Sequence, residues 1–130
     1  MKGGGAMAGH VLLIEDEPNI AEAIRFILTR DGWSLSVFGD GRDGLAAVAA
    51  LRPDLVILDL MLPGLSGMEI LAALRSDAAT AALPVMMLTA KGQGRDREAA
   101  QRAGVSAFMS KPFANADMVA AVRSLIGHLA

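Results

Sequence analysis

Cysteine and tyrosine are absent from this 130-residue chain, and its aromatic residues are one tryptophan and four phenylalanines. Without cysteine the chain can form neither a disulfide nor a thiolate site, which fits a reducing intracellular compartment. Hydrophobic residues make up 53% of the chain, but no apolar run approaches the roughly 20 residues that a membrane span needs. We therefore expect a soluble cytoplasmic protein that makes no contact with a membrane.

An excess of positive charge is also missing. The net charge is −2, so the chain offers no broad basic surface and we expect no direct contact with nucleic acid. Its length suffices for one hydrophobic core but not for two domains. Residues 1–9 are rich in glycine and match neither a signal peptide nor a strand. We interpret them as a cloning remnant or a disordered N-terminus, and residues 10–130 as one domain.

Short aliphatic runs alternate with amphipathic stretches along the rest of the chain. The runs predict buried strands, and apolar residues at spacings of three and four predict helices. The predicted strands are Val11–Ile14, Trp33–Phe38, Leu55–Leu58, Val85–Leu88 and Val105–Met109. The predicted helices are Pro18 to the Asp31-Gly32 stop, Gly41–Leu51, Ser66–Arg75, Gly94–Ala103 and Asn115–Leu129. This alternation predicts an α/β fold, a doubly wound parallel sheet with helices on both faces.

Acidic residues directly follow two of the predicted strands. Glu15 and Asp16 come after the first strand, and Asp59 comes after the third. Because the carboxyl ends of parallel strands border one crevice, we expect these carboxylates to share a pocket. They would repel one another without a proton or cation between them, and oxygen ligands suit Mg²⁺. The same acids disfavour a dinucleotide or flavin site, whose phosphate needs glycine and hydroxyl groups in this loop.

Three motifs together resemble the CheY-like receiver domain of two-component response regulators. They are Asp54-Leu-Val-Ile-Leu-Asp59-Leu-Met-Leu-Pro63-Gly64-Leu-Ser-Gly67-Met-Glu69, Leu88-Thr89-Ala90-Lys91 and Lys111-Pro112-Phe113. The resemblance extends from about His10 to the end of the chain. It implies a flavodoxin-like (βα)5 domain with strand order 2-1-3-4-5. It also implies a cis peptide bond before Pro112.

The resemblance implies a phosphorelay function carried by Asp59. This residue would accept a phosphoryl group from a sensor histidine kinase or a histidine phosphotransfer protein. Lys111 would neutralise one phosphoryl oxygen, and the Thr89 hydroxyl would donate to another. The chain would take part only in its own phosphotransfer and dephosphorylation, so we expect no enzyme acting on other substrates.

The resemblance also implies a Mg²⁺ site as the cofactor site of this reaction. Asp16 and Asp59 would bind the ion directly, and the backbone carbonyl of Met61 would complete the ligands from the protein. Glu15 stands where the family more often has aspartate, and it would act through a water molecule.

Thr89 and Phe108 are the switch residues that the resemblance implies. Phosphorylation would draw the Thr89 hydroxyl towards the phosphoryl oxygen, and the Phe108 ring would turn into the vacated space. The face formed by the fourth helix, the fifth strand and the fifth helix would then signal to a downstream protein or to an output domain outside this sequence. Arg95, Arg97 and Arg102 of the fourth helix could meet an acidic partner or form an ordinary solvated face.

The lifetime of the phosphoryl group would depend on two further positions. Met61 and Lys91 would flank the path of the attacking water in this family, and neither side chain is suited to orient that water. We therefore predict a phosphoryl group that persists beyond seconds.

Two other functions stay open at this point. One is a small Mg²⁺-dependent aspartyl phosphatase or phosphotransferase, although Met61 stands two residues after Asp59, where such enzymes usually carry a second acid. The other is a receiver scaffold that is not phosphorylated. Such a scaffold would be expected to lack one of Asp16, Asp59, Thr89 and Lys111.

Overall fold

The structure is a computed structural model that describes residues 9–90 and 94–126. Its strands are β1 (His10–Ile14), β2 (Ser34–Phe38), β3 (Leu55–Asp59), β4 (Val85–Ala90) and β5 (Ala107–Lys111). Its helices are α1 (Pro18–Arg30), α2 (Gly41–Leu51), α3 (Gly67–Ser76), α4 (Gly94–Arg102) and α5 (Asn115–Ile126). The strands form one parallel sheet in the order β2-β1-β3-β4-β5. The predicted flavodoxin-like α/β fold is confirmed.

The hydrophobic core lies on both faces of the sheet. Successive residues of a strand point to opposite faces, so β1 and β3 each contribute to two clusters. Leu13 and Ile57 pack with α1 and α5 on one face, whereas Leu12 and Leu58 pack with α2, α3 and α4 on the other. β3 is therefore buried throughout, and β1 is buried from Val11 to Ile14, which explains the unbroken aliphatic runs of both strands.

Capping side chains fix the first residues of the two helices beside the site. The Glu17 carboxylate caps α1 by accepting from the Asn19 N–H at 3.3 Å, and Pro18 occupies the first helical position, where its missing N–H is not needed. Ser66 caps α3 and forms a reciprocal capping box with Glu69, so the helix begins one residue later than predicted. These caps fix where α1 and α3 begin after the carboxyl ends of β1 and β3.

The fifth strand begins two residues later than the sequence predicted. Instead of Val105–Met109, the strand is Ala107–Lys111. Gly104 has a φ of +98°, and the Val105 N–H donates to the Ala100 carbonyl at 3.1 Å. Val105 therefore still belongs to the turn that ends α4. The shift makes Lys111 the last residue of β5.

β4 extends two residues beyond its predicted end, and the other described boundaries differ by about one residue. β4 continues through Ala90 and thus includes Thr89, and β3 includes Asp59. The prediction for residues 127–129 of the last helix lies outside the described residues, as does the interpretation of residues 1–8. Among the helices that the structure describes, none is both long and apolar enough to cross a membrane.

Candidate functional site

Three carboxylates meet at the carboxyl end of the sheet. β1 and β3 are neighbours, with Ile14 opposite Leu58 in the register, so the acids after these residues lie side by side. One oxygen from each of Glu15, Asp16 and Asp59 lies within 4.8 Å of the other two. Glu15 and Asp59 are buried, whereas Asp16 is exposed. The crevice is therefore a buried acidic site with one open side.

The surroundings of Glu15 disfavour the charged form of its carboxyl group. Its Oε2 accepts from the Glu17 N–H at 3.0 Å, but its buried Oε1 has no hydrogen-bond partner among the described residues. Burial raises the pKa of Glu15 to about 7, and the neighbouring Asp59 charge adds to the effect. Near neutral pH this carboxyl group can therefore hold a proton or give it up to a cation.

Lys111 approaches the acids from the end of β5. Its Nζ donates to Asp59 Oδ2 at 3.0 Å and lies 3.7 Å from Glu15 Oε1. Burial alone would lower the pKa of Lys111, but its hydrogen bond to Asp59 and the charges of both acids outweigh burial and raise it. Lys111 therefore stays charged and partly neutralises the crevice. The peptide bond to Pro112 is cis, as the resemblance implied.

Thr89 lies on the strand beside Asp59. β3 pairs with β4 so that Asp59 faces Leu88, and Thr89 is the next residue. Its Oγ1 is buried and has no hydrogen-bond partner among the residues that the structure describes. An unpaired buried hydroxyl costs about 1–3 kcal/mol, so a free hydroxyl at this depth is suited to an incoming acceptor.

The remaining predicted residues are Met61, Phe108 and Lys91, and of these Met61 contacts the acidic cluster. Met61 donates its N–H to Asp59 Oδ1 at 3.2 Å, and its side chain is 68% exposed. Phe108 lies half-buried near the start of β5, whereas Lys111 is the last residue of that strand. Lys91 lies outside the described residues.

Sequence reasoning missed one contact near the site. The Arg97 guanidinium of α4 lies over the Phe108 ring, with 4.8 Å between the guanidinium carbon and the ring centroid. No short-range pattern relates these two residues, because they belong to different elements and meet only when α4 packs beside β5. The sequence suggested only that the arginines of α4 meet an acidic partner or form a solvated face.

The donor set of the crevice fits a hard divalent cation such as Mg²⁺. All three side chains offer carboxylate oxygens, which such ions prefer to nitrogen or sulfur ligands. The buried Oε1 of Glu15 accepts no hydrogen bond among the described residues and lies 3.7 Å from Lys111 Nζ, so it can still accept a cation. The chemistry of the donors thus agrees with the predicted ion.

Comparisons with known proteins agree with the fold and the crevice. The family model described as the response regulator receiver domain matches residues 11–123. The probable transcriptional regulatory protein TcrX of Mycobacterium tuberculosis is 41% identical over 116 residues, which are 89% of this chain and 49% of that protein. The DNA-binding response regulator MtrA of Mycolicibacterium smegmatis is 40% identical over 118 residues, which are 91% of this chain and 50% of that protein. The chain thus spans about half the length of both relatives.

A solved structure is similar over nearly the whole domain. It is the receiver domain of the sensor histidine kinase PA1611 from Pseudomonas aeruginosa, with a magnesium ion coordinated in its active site cleft. The match has a TM-score of 0.85 and 28% sequence identity, and it covers 92% of this chain and 98% of that chain. Together with the parallel sheet order and the acidic crevice, these matches show that the chain belongs to the response regulator receiver domain family of two-component signalling, whose members accept phosphoryl groups.

Proposed function

We propose that this receiver is phosphorylated on Asp59. The phosphoryl group would come from a histidine kinase or a histidine phosphotransfer protein. The observation that carries the proposal is the environment of Asp59. It is a buried carboxylate that ends a central strand, held by the Lys111 ammonium at 3.0 Å and by the Met61 N–H at 3.2 Å. An ionised side chain at this depth needs such partners, and these partners leave it facing an open crevice.

The chemistry requires mainly positioning and charge neutralisation. Phosphoryl transfer passes through a loose transition state with its charge on the equatorial oxygens. As the bond from phosphorus to the donor histidine breaks, an Asp59 carboxylate oxygen forms the new bond to phosphorus. The Lys111 ammonium can then turn from the free carboxylate to a phosphoryl oxygen. Thr89 supplies a hydroxyl donor for another oxygen, because its Oγ1 makes no hydrogen bond among the described residues.

Mg²⁺ is the cofactor that we propose for this site. Asp16, Asp59, Glu15 and the Met61 carbonyl would hold it, and when bound it would neutralise the repulsion between carboxylate and phosphoryl group. The magnesium ion in the cleft of the PA1611 receiver supports this assignment. Glu15 has a longer side chain than aspartate, so we expect it to contact the ion through water.

Thr89 and Phe108 are the proposed switch residues. The Thr89 hydroxyl would move towards a phosphoryl oxygen, and the Phe108 ring would then fill the released space. This is a shift between two packings of the face formed by α4, β5 and α5. Because TcrX and MtrA are about twice as long as this chain, we propose that the face signals to a partner or an output domain in the cytoplasm. Any contact with DNA would then be made outside this receiver.

The test is the intact mass of the protein after incubation with acetyl phosphate and Mg²⁺. We expect a gain of one phosphoryl group that EDTA abolishes, that hydroxylamine removes as it removes acyl phosphates, and that Asp59→Asn prevents. Asp96→Asn is a matched control, because Asp96 lies exposed on α4, and it should be phosphorylated like the wild type.

Two results would overturn the proposal. A gain that persists in Asp59→Asn would move the acceptor to another residue. A wild type that binds Mg²⁺ but gains no phosphoryl group would favour the scaffold that is not phosphorylated.

A further inference from the structure

We propose that Arg97 is a positioning residue that holds the Phe108 ring in its observed place and so sets the equilibrium of the switch. The inference rests on the proposed switch function and deepens it. Its basis is the guanidinium of Arg97, whose central carbon lies 4.8 Å from the centroid of the Phe108 ring. This distance is within the roughly 6 Å over which a cation is attracted to an aromatic face.

Arg97 is available to the ring because, among the described residues, no acidic side chain pairs with it. Arg97 is exposed on α4, and within the described ranges no carboxylate lies within 4.0 Å of its guanidinium. Phe108 itself has no hydroxyl with which to anchor its ring, and the chain contains no tyrosine. The cation over the ring face therefore supplies a restraint that the side chain of Phe108 cannot supply for itself.

The ring and the Thr89 hydroxyl lie on the same face of the sheet. In the β4–β5 register Met87 faces Phe108 and Thr89 faces Ser110. Met87 and Phe108 both belong to the core cluster beneath α2, α3 and α4. Because side chains two residues apart on a strand share a face, Thr89 points to this side as well. A rotation of the ring and a movement of the hydroxyl therefore use neighbouring space.

The contact should bias the switch by a modest and measurable factor. A ring that turns towards Thr89 leaves the guanidinium and loses the attraction. At a partly exposed site this attraction is worth about 0.5–1 kcal/mol, which corresponds to about two- to five-fold in the population of the two ring positions. Removing Arg97 should thus favour the inward ring. Where the inward ring is the minor state, a ligand that binds this state should bind more tightly by the same factor.

The experiment measures the affinity for beryllofluoride, a phosphoryl mimic, in Mg²⁺ by calorimetry. We expect Arg97→Gln to bind about two- to five-fold more tightly than the wild type, and Arg97→Lys to lie between them because it keeps a cation. Arg95→Gln removes an exposed arginine of the same helix and should bind like the wild type. An affinity of Arg97→Gln equal to that of Arg95→Gln would overturn the inference.

A double-mutant cycle excludes a general effect of charge on ligand binding. In a Phe108→Leu background the ring is absent, so Arg97→Gln should no longer change the affinity. A gain of the same size in that background would assign the effect to charge and contradict a restraint on the ring.

A second readout separates this inference from the proposed function. With 4-fluorophenylalanine incorporated and the Phe108 signal assigned from Phe108→Leu, ¹⁹F NMR reports the ring without any ligand. We expect Arg97→Gln to move that signal and Arg95→Gln to leave it in place. If the signal does not move in Arg97→Gln, the proposed restraint on the ring is wrong, even if the wild type binds beryllofluoride. If the wild type does not bind beryllofluoride, the proposed phosphoacceptor site is wrong. The NMR signal then still decides whether Arg97 restrains the ring.

Discussion

Glu15→Gln should stabilise the protein above pH 7 and reduce its loss of stability between pH 5 and 7. Burial raises the pKa of Glu15 from 4.5 to about 7 in the folded protein. The folded state therefore binds this proton more tightly than the unfolded state does. Between these two pH values the unfolded chain is ionised while the folded chain keeps its proton, so the free energy of unfolding falls as the pH rises. Glutamine has no proton to lose and should escape this fall.

The structure sets the size of the effect. The gap between the two pKa values, roughly 2.5, corresponds to about 3 kcal/mol at about 1.4 kcal/mol for each pH unit. Glutamine has nearly the same shape, its carbonyl oxygen can accept from the Glu17 N–H as Oε2 does, and its amide can donate to Asp59. Above pH 7 the variant should therefore be more stable than the wild type by up to about 3 kcal/mol. Below pH 4.5, where the Glu15 carboxyl group is protonated in both the folded and the unfolded state, the difference should approach zero.

Urea unfolding in EDTA at pH 5, 6, 7 and 8 measures this difference, with the fluorescence of Trp33 as the probe. Trp33 is the one tryptophan of the chain and is buried. Glu98→Gln is the matched control, because Glu98 lies exposed on α4. Its free energy of unfolding should change with pH in the same way as that of the wild type. If the free energies of unfolding of Glu15→Gln and of the wild type change equally between pH 5 and 8, the reasoning is refuted. At pH 8, Mg²⁺ should restore more stability to the wild type than to Glu15→Gln, since binding to the folded state stabilises it.

Two further predictions concern the surroundings of Asp59. The phosphorylated wild type in Mg²⁺ should keep its phosphoryl group beyond seconds, because the exposed Met61 side chain cannot orient an attacking water; a half-life of seconds by phosphorus NMR would contradict this. Gly67→Ala should lower the free energy of unfolding by about 1–3 kcal/mol and slow phosphorylation, because its Cβ would lie 2.4 Å from the Asp59 carbonyl oxygen. Gly94→Ala is the matched control, because its Cβ would have no neighbour within 4 Å among the described residues. It should leave the free energy of unfolding unchanged or raise it. Equal urea midpoints for Gly67→Ala and Gly94→Ala would count against a tight contact at Gly67.

The sequence predicted the sheet and its acidic edge because both depend on short-range patterns. The runs before Glu15 and Asp59 are aliphatic without interruption, as central strands covered on both faces must be. The polarity of a parallel sheet then requires the following acids to meet at one edge, and the structure brings them within 4.8 Å. The positions of Thr89 and Lys111 at the same edge were predicted from the resemblance to a family. The hydrophobic periodicity did not predict them.

The start of β5 was misplaced because the apolar Val105 also suits a strand. Its N–H donates to Ala100 instead, since Gly104 with its positive φ turns the chain at the end of α4. The hydrophobic pattern of the sequence shows that such a residue is apolar. It does not distinguish a residue in the turn after a helix from one in a strand.

The sequence by itself determined the order of the elements, the parallel sheet and the acids at its carboxyl edge, because these follow from spacing along the chain. Only the tertiary structure decided that Glu15 is buried enough to hold a proton near pH 7, that the Thr89 hydroxyl lacks a partner among the described residues, and that Arg97 lies over the Phe108 ring. Burial and pairing depend on every element that packs around a side chain. These neighbours come from distant parts of the sequence, so no local pattern contains them.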